Sequence, residues 1–138
     1  GLRGVGTSLA RAARWNQVPN YLQTANSEIC LIFQVETVTA LDNLDDILAV
    51  DGVHGVFIGP SDLAASMGKI GQGDDPELEQ AILAGIAKIK AAGKIAGILT
   101  LNDALIEKCA QAGTDFIGVA VDTLLLGNAM RAGAAARK

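Results

Sequence analysis

The sequence predicts an α/β protein made of repeated βα units around a parallel sheet. Three observations carry that expectation. Along the 138 residues, apolar strand-like runs alternate four times with helical patterns. Gly52, Gly93 and Gly113 end predicted helices a few residues before the next run, giving the short connections typical of βα repeats. The composition is 50% hydrophobic with only 4% aromatics and 16 glycines. Such a balance is usual for strands covered on both faces.

The elements follow in order. Residues 1–28, beginning GLRGVGTSLARAARWNQVPNYLQ, are basic and irregular, and read as a long functional loop with a helical piece. Residues 29–35 (ICLIFQV) form the first strand, and a helix over 38–49 carries Leu41, Leu44, Ile47 and Leu48 at helical spacing. The second strand, 53–58, runs through Gly-Pro into a short helix at 61–66 and then a glycine-rich link, GKIGQGDD. Asp75 as N-cap, Pro76 at the first helical position and Glu77 in the first turn open the next helix. Its buried stripe is Leu78, Ile82, Ile86 and Ile89. The third strand is 95–99, followed by a helix that Asn102 opens and Gly113 closes. The fourth strand is 116–121, and an alanine-rich helix follows Asp122. The chain therefore reads as a single domain, a leading segment plus four βα units over 29–138. Two architectures fit: a small doubly wound sheet of the flavodoxin type, or half of a (β/α)8 barrel, which when complete takes about 250 residues.

Composition narrows the function. A net charge of −4 argues against nucleic acid as the main partner. The absence of an apolar run near the roughly 20 residues of a membrane span argues against an integral membrane protein. Cys30 lies in an apolar run and Cys109 on an apolar helix face, so both are expected to be buried free thiols of a reducing cytoplasm. Gly1 is not a natural start residue, and the chain is expected to be cut from something longer.

In parallel α/β folds, ligands collect at the carboxyl ends of the strands. There the sequence places Gln34 and Glu36, then Ser61 and Asp62, then Leu99 and Thr100, then Asp122. Gln34 and Glu36 are two apart and share a strand face. Glu36 and Asp62 have no close basic neighbour in sequence. They suit a hard divalent cation such as Mg2+ or Mn2+, with Co2+ a further candidate. The plainer alternative makes Glu36 a first-turn acid and Asp62 a helix-start residue. The amides at Ser61 and Asp62 could hold an anion, against ordinary capping by Ser61. His54 begins its strand, more than about 15 Å from Asp62 at ~3.3 Å per residue, and reads as structural. Arg3, Arg11 and Arg14 could meet an anionic substrate or simply solvate a loop, and Asp122 most simply caps the last helix. No zinc cluster, serine triad or phosphate loop is spelled.

The combination RGVGTSLARAARW, FQVET, DGVHGVFIGPSDLAASMG, AGILT and FIGVAVDTLLL resembles the HpcH/HpaI aldolase family, over essentially the whole chain. These are metal-dependent class II pyruvate aldolases acting on hydroxy-oxo-heptanedioate and keto-deoxy sugar acids. The resemblance implies the C-terminal half of a (β/α)8 barrel, about strands five to eight. It implies Glu36 and Asp62 as metal ligands, Gln34 beside bound pyruvate, the Ser61–Asp62 backbone on the pyruvate carboxylate, and Leu99 against the substrate. It further implies cleavage of 4-hydroxy-2-oxo acids to pyruvate and an aldehyde through a metal-stabilised enolate, in a homo-oligomer. The family's base histidine and clamping arginine belong to the amino-terminal half, so no catalytic acid–base residue is assigned in this chain. The alternatives are a catalytically incomplete half-barrel that self-associates, and an acyl-CoA lyase related to citrate lyase.

Overall fold

The computed structural model describes residues 4–137. Arg3, one of the candidate anion contacts, lies outside them. Residues up to Cys30 form one compact unit and those from Leu31 onward another. The first unit holds a short 3₁₀ turn, Arg11–Ala13, and helix α1, Tyr21–Glu28. Between them Arg14, Trp15 and Asn16 all take left-handed backbone angles.

The second unit is built from the four expected repeats. Its elements are β1 (Ile32–Val35), α2 (Val38–Asp42), α3 (Leu44–Ala49), β2 (Gly55–Ile58) and α4 (Pro60–Ser66). Then come α5 (Pro76–Ala91), β3 (Ile95–Leu99), α6 (Asp103–Gln111), β4 (Phe116–Gly118) and α7 (Asp122–Ala135). All neighbouring strands are parallel, and the sheet order is β1-β2-β3-β4. That order decides between the two architectures. A doubly wound sheet reverses its strand order at a switch point, whereas a barrel adds strands in sequence.

Helix placement agrees. Val35, Val56, Ile58, Ala96 and Ile98 share one face of the sheet. They form the core with Leu44, Leu63, Leu78, Ile82, Ile86, Ile89, Leu105 and Cys109 from the helices. The stripe on α5 is fully buried, and each such side chain contributes about 1.5–3 kcal/mol relative to leaving it in water. Asp75 caps α5 by accepting from the amides of Glu77 and Leu78 at 2.9 and 3.2 Å. The opposite face of the sheet is not covered: Ile32, Leu99 and Phe116 on it are exposed. Coverage of both faces, expected from composition, therefore does not describe this unit. On the open face Gly97 lies between two aromatic rings, Phe57 and Phe116, whose centroids are 5.6 Å apart. A Cβ at Gly97 would stand 2.8 Å from Phe57 and 2.9 Å from Phe116.

Several boundaries differ from expectation. The first and fourth strands are shorter than expected, and the 38–49 helix is interrupted at Asn43. Cys30 is exposed because it precedes β1, while Cys109 is buried as expected. Burial and then the Glu79 carboxylate push the Cys109 thiol up from its ordinary range. Asp122 is the first residue of α7 rather than its cap, and its carboxylate accepts from the Thr123 amide. In α7 no residue is buried, and Leu124, Leu125, Leu126 and Met130 are exposed. No helix of the described residues is long and apolar enough to cross a membrane.

Candidate functional site

The carboxyl ends of β1 and β2 lie side by side because Val35 pairs with Ile58. Each strand then turns directly into a helix. After β1, Thr37 caps α2 by accepting from the Ala40 amide at 3.1 Å, and Ser66 at the end of α4 accepts from the Val38 amide at 3.0 Å. The second bond ties the turn that carries Glu36 to the helix that carries Asp62. After β2, the Gly59 amide donates to the Val35 carbonyl at 3.2 Å, which holds the Gly-Pro turn against β1.

Within this frame Gln34 and Glu36 share a face, as alternation along a strand requires. Gln34 Nε2 donates to Glu36 Oε2. Gly59 completes the arrangement. A Cβ there would lie 2.6 Å from Glu36 Oε2, 3.0 Å from Glu36 Cβ and 3.1 Å from Gln34 Nε2, so any larger residue would make the Glu36 and Gln34 side chains give way. Gln34, Phe57, Gly59, Ser61, Asp62 and Leu99 surround a cleft of about 240 Å3. Four of the five site residues expected from the sequence thus line one cleft, and the fifth, Glu36, is bonded to one of them.

The helix start differs from ordinary capping. Gly59 is the N-cap of α4 and no side chain caps it, so Ser61 is not a cap. The first amide that the helix itself satisfies is that of Leu63, which donates to the Gly59 carbonyl at 3.0 Å. The amides of Ser61 and Asp62 are first-turn donors, the kind that a helix leaves for an external acceptor.

The electrostatics suit a cation. The ion pairs of the described residues engage Lys69, Lys88, Lys90 and Lys108, and none involves Glu36 or Asp62. Two carboxylates without an ion-pair partner and a carboxamide are hard oxygen donors of the kind that divalent magnesium or manganese takes while keeping water or substrate in its remaining positions. Among the described residues no three or more His, Cys, Asp or Glu cluster into a closed metal cage. The donors at this edge are all oxygens, which is not the nitrogen and sulfur set of a structural zinc site.

One of the other candidates stands apart from this cleft within the same unit. His54 is at the opposite end of β2, where its Nδ1 accepts from the Leu31 amide at 3.0 Å and its carbonyl accepts from Ile95. It therefore stitches the start of the sheet together. Arg11 and Arg14 belong to the first unit. Two features were not expected from sequence. One is the role of Gly59, which is visible only once β1 and β2 are adjacent. The other is the bond from Asn102 to Asp74, added to the expected role of Asn102 as the cap of α6.

Comparison with known proteins gives a consistent picture. The family model for the HpcH/HpaI aldolase/citrate lyase group matches residues 3–129. The 2-keto-3-deoxy-L-rhamnonate aldolase of Klebsiella pneumoniae subsp. pneumoniae is 52% identical over 130 residues, covering 94% of this chain and 49% of that protein. The 4-hydroxy-2-oxo-heptane-1,7-dioate aldolase of Salmonella heidelberg is 51% identical over 135 residues, covering 98% and 51%. A crystal structure of an HpcH/HpaI aldolase/citrate lyase family protein from Burkholderia cenocepacia J2315 superposes with a TM-score of 0.85 at 37% identity. That match covers 100% of this chain and 54% of the other. The chain spans about half the length of the curated relatives it matches.

Proposed function

Because this chain belongs to the HpcH/HpaI aldolase/citrate lyase family, we propose that it carries the metal- and pyruvate-binding half of an aldolase. The reaction proposed is cleavage of 4-hydroxy-2-oxo acids to pyruvate and an aldehyde. The observation that carries this reading is the convergence of Gln34, Asp62 and Leu99 on one cleft, with Glu36 bonded to Gln34.

In this reading Glu36 and Asp62 hold Mg2+ or Mn2+. A divalent cation at that position supplies Lewis-acid polarisation of a keto oxygen and stabilises the negative charge that develops when the carbon–carbon bond breaks. Gln34 orients the Glu36 carboxylate and faces the bound keto acid. The first-turn amides of Ser61 and Asp62 receive the carboxylate of pyruvate, and Leu99 packs on its carbon skeleton. Among the described residues from Leu31 onward the one histidine, His54, lies at the opposite end of β2. The two arginines of this unit, Arg131 and Arg137, bond along α7 to Asn128 and to the Gly133 carbonyl. We assign the general base and the clamping arginine to the portion of the relatives that this chain does not span. The exposed sheet face supports association, either with that portion or with further copies in a homo-oligomer. The cytoplasm, where thiols stay reduced, is the compartment proposed for it, in keeping with two free cysteines.

Calorimetric titration with Mn2+ and then pyruvate tests the site. The wild-type chain is expected to bind Mn2+ and, with Mn2+ present, pyruvate. Glu36→Gln and Asp62→Asn are expected to lose both while keeping the helical circular dichroism of the parent. Wild-type protein that ignores Mn2+, or variants that bind it equally well, would overturn the assignment.

A further inference from the structure

Beside the cleft of Gln34 and Asp62 opens a larger cavity of about 600 Å3, and the two share Pro60, Ser61 and Leu99 as a common wall. The far walls of this cavity come from the link before α5, from the turn after β3, and from the start of α7. All belong to the unit from Leu31 onward.

Its lining is mostly aliphatic, with Ile70, Leu101, Leu105 and Leu124 contributing. Among the described residues no lysine or arginine lines it, and the one charged residue that does is Asp74. The cation nearest to Asp74 in sequence, Lys69, is already engaged by Asp75 and Glu77, both at 2.9 Å. Asp74 itself is held in place. Asn102 Nδ2 donates to Asp74 Oδ1 at 2.6 Å, while Asn102 Oδ1 accepts from the Leu105 amide at 3.1 Å and caps α6. The helix cap fixes which way the Asn102 amide points, so its nitrogen is committed to Asp74. The second carboxylate oxygen of Asp74 takes no partner among the described residues, and an ionised carboxylate only accepts.

We propose that this cavity receives the aldehyde-derived end of the substrate, and that Asp74 selects ends that are neutral and carry hydroxyl groups over ends that carry a carboxylate. The inference rests on the pyruvate aldolase reading above. A hydroxyl three carbons beyond the keto group, which the sugar acid has and the dioate lacks, can donate to the free oxygen of Asp74. A terminal carboxylate in the same place meets a like charge. The names of the two curated relatives describe this contrast: one acts on a deoxy sugar acid with a single carboxylate, the other on a 1,7-dioate.

The test is calorimetric titration of the Mn2+-loaded chain with pyruvate, with 2-keto-3-deoxy-L-rhamnonate and with 4-hydroxy-2-oxo-heptane-1,7-dioate, in wild type and Asp74→Asn. The variant keeps an oxygen to accept from Asn102 and removes the charge. Wild type is expected to bind the sugar acid about tenfold more tightly than the dioate, the order of effect for one like-charge contact near a protein surface. That preference should shrink as salt rises and disappear in Asp74→Asn, with pyruvate affinity the same in both proteins. A wild type that binds the dioate as well as the sugar acid, or a variant that keeps the preference, overturns the role of Asp74 and leaves the aldolase reading intact. Failure of pyruvate itself to bind overturns the aldolase reading and this inference with it.

Discussion

Gly59 sets how closely the turn after β2 approaches the Glu36 carboxylate. Its φ is −96°, a value that alanine adopts freely, so Gly59→Ala tests space and not backbone strain. The added Cβ would push against Glu36 Oε2 and Gln34 Nε2. Displacing a carboxylate ligand and the group that orients it typically costs about tenfold to a hundredfold in metal affinity. Gly59→Ala is therefore expected to weaken Mn2+ binding in calorimetry by that order while leaving the urea midpoint close to that of wild type. Unchanged affinity would show that the carboxylate does not act from this position. The residues around Gly59 differ in how openly the sequence announces them. Alternation along a strand puts Gln34 and Glu36 on one face without any structure, and the spelling Asp-Pro-Glu marks a helix cap at Asp75. Gly59 and Asn102 act between segments far apart in the chain, which no local pattern encodes. Cys30 looked buried because its neighbours are apolar, yet it precedes the first strand and meets solvent.

At the scale of elements, most helices were readable, but the break at Asn43 and the strand ends were not. The α5 stripe depends only on its own period, and its cap is local. A strand ends where its partner stops. Ile32 is the first β1 residue to pair, with Gly55, and Gly118 is the last of β4 because it faces Leu99 at the end of β3. Two carboxylates fasten these elements. The Lys69 ammonium holds the Asp75 carboxyl below the usual carboxylate range, with help from the Leu78 and Glu77 amides. The Lys90 ammonium, 2.7 Å from both oxygens, does the same for Asp115, which also accepts from the Ala96 amide. A carboxyl whose folded pKa is depressed stabilises the fold above its unfolded pKa, and that contribution is lost as pH falls through the folded value. Urea midpoints are thus expected to hold steady from neutral pH down to about 5 and to fall below about 4. The fall should be shallower in the Asp75→Asn, Asp115→Asn double variant, which starts from a lower midpoint. Equal acid sensitivity in the two proteins would remove these pairs from the explanation.

At the scale of the whole molecule, the sheet presents one packed face and one open face. Charge and composition could not reveal this, because the same aliphatic residues serve a sheet covered twice and a barrel wall covered once outside and filled within. Strand order and the parity of buried positions reveal it. Contiguous exposed apolar surface of this sort marks an interaction site, and Phe116, half exposed on the edge strand β4, is the residue to change. Phe116→Glu is expected to shift the proposed assembly toward monomer in light scattering, since a charge on that face would have to be buried unpaired. An unchanged mass would place the contact elsewhere, with the exposed leucines of α7 the next surface to alter.

The strictly sequential pairing of β1 to β4 also bears on how the chain folds and how it can be altered. Each strand finds its partner one or two helices away, so closing each loop costs little entropy and no pairing waits for a distant segment. Folding can begin at the β2–α5–β3 unit, where most of the core lies, and spread outward in both directions. The same locality makes the repeats exchangeable one at a time. Transplanting the stretch from β3 through α6 from a relative would replace Leu99 and Asn102 while leaving Glu36 and Asp62 on their own strands. Substrate preference could then be recombined without rebuilding the metal platform.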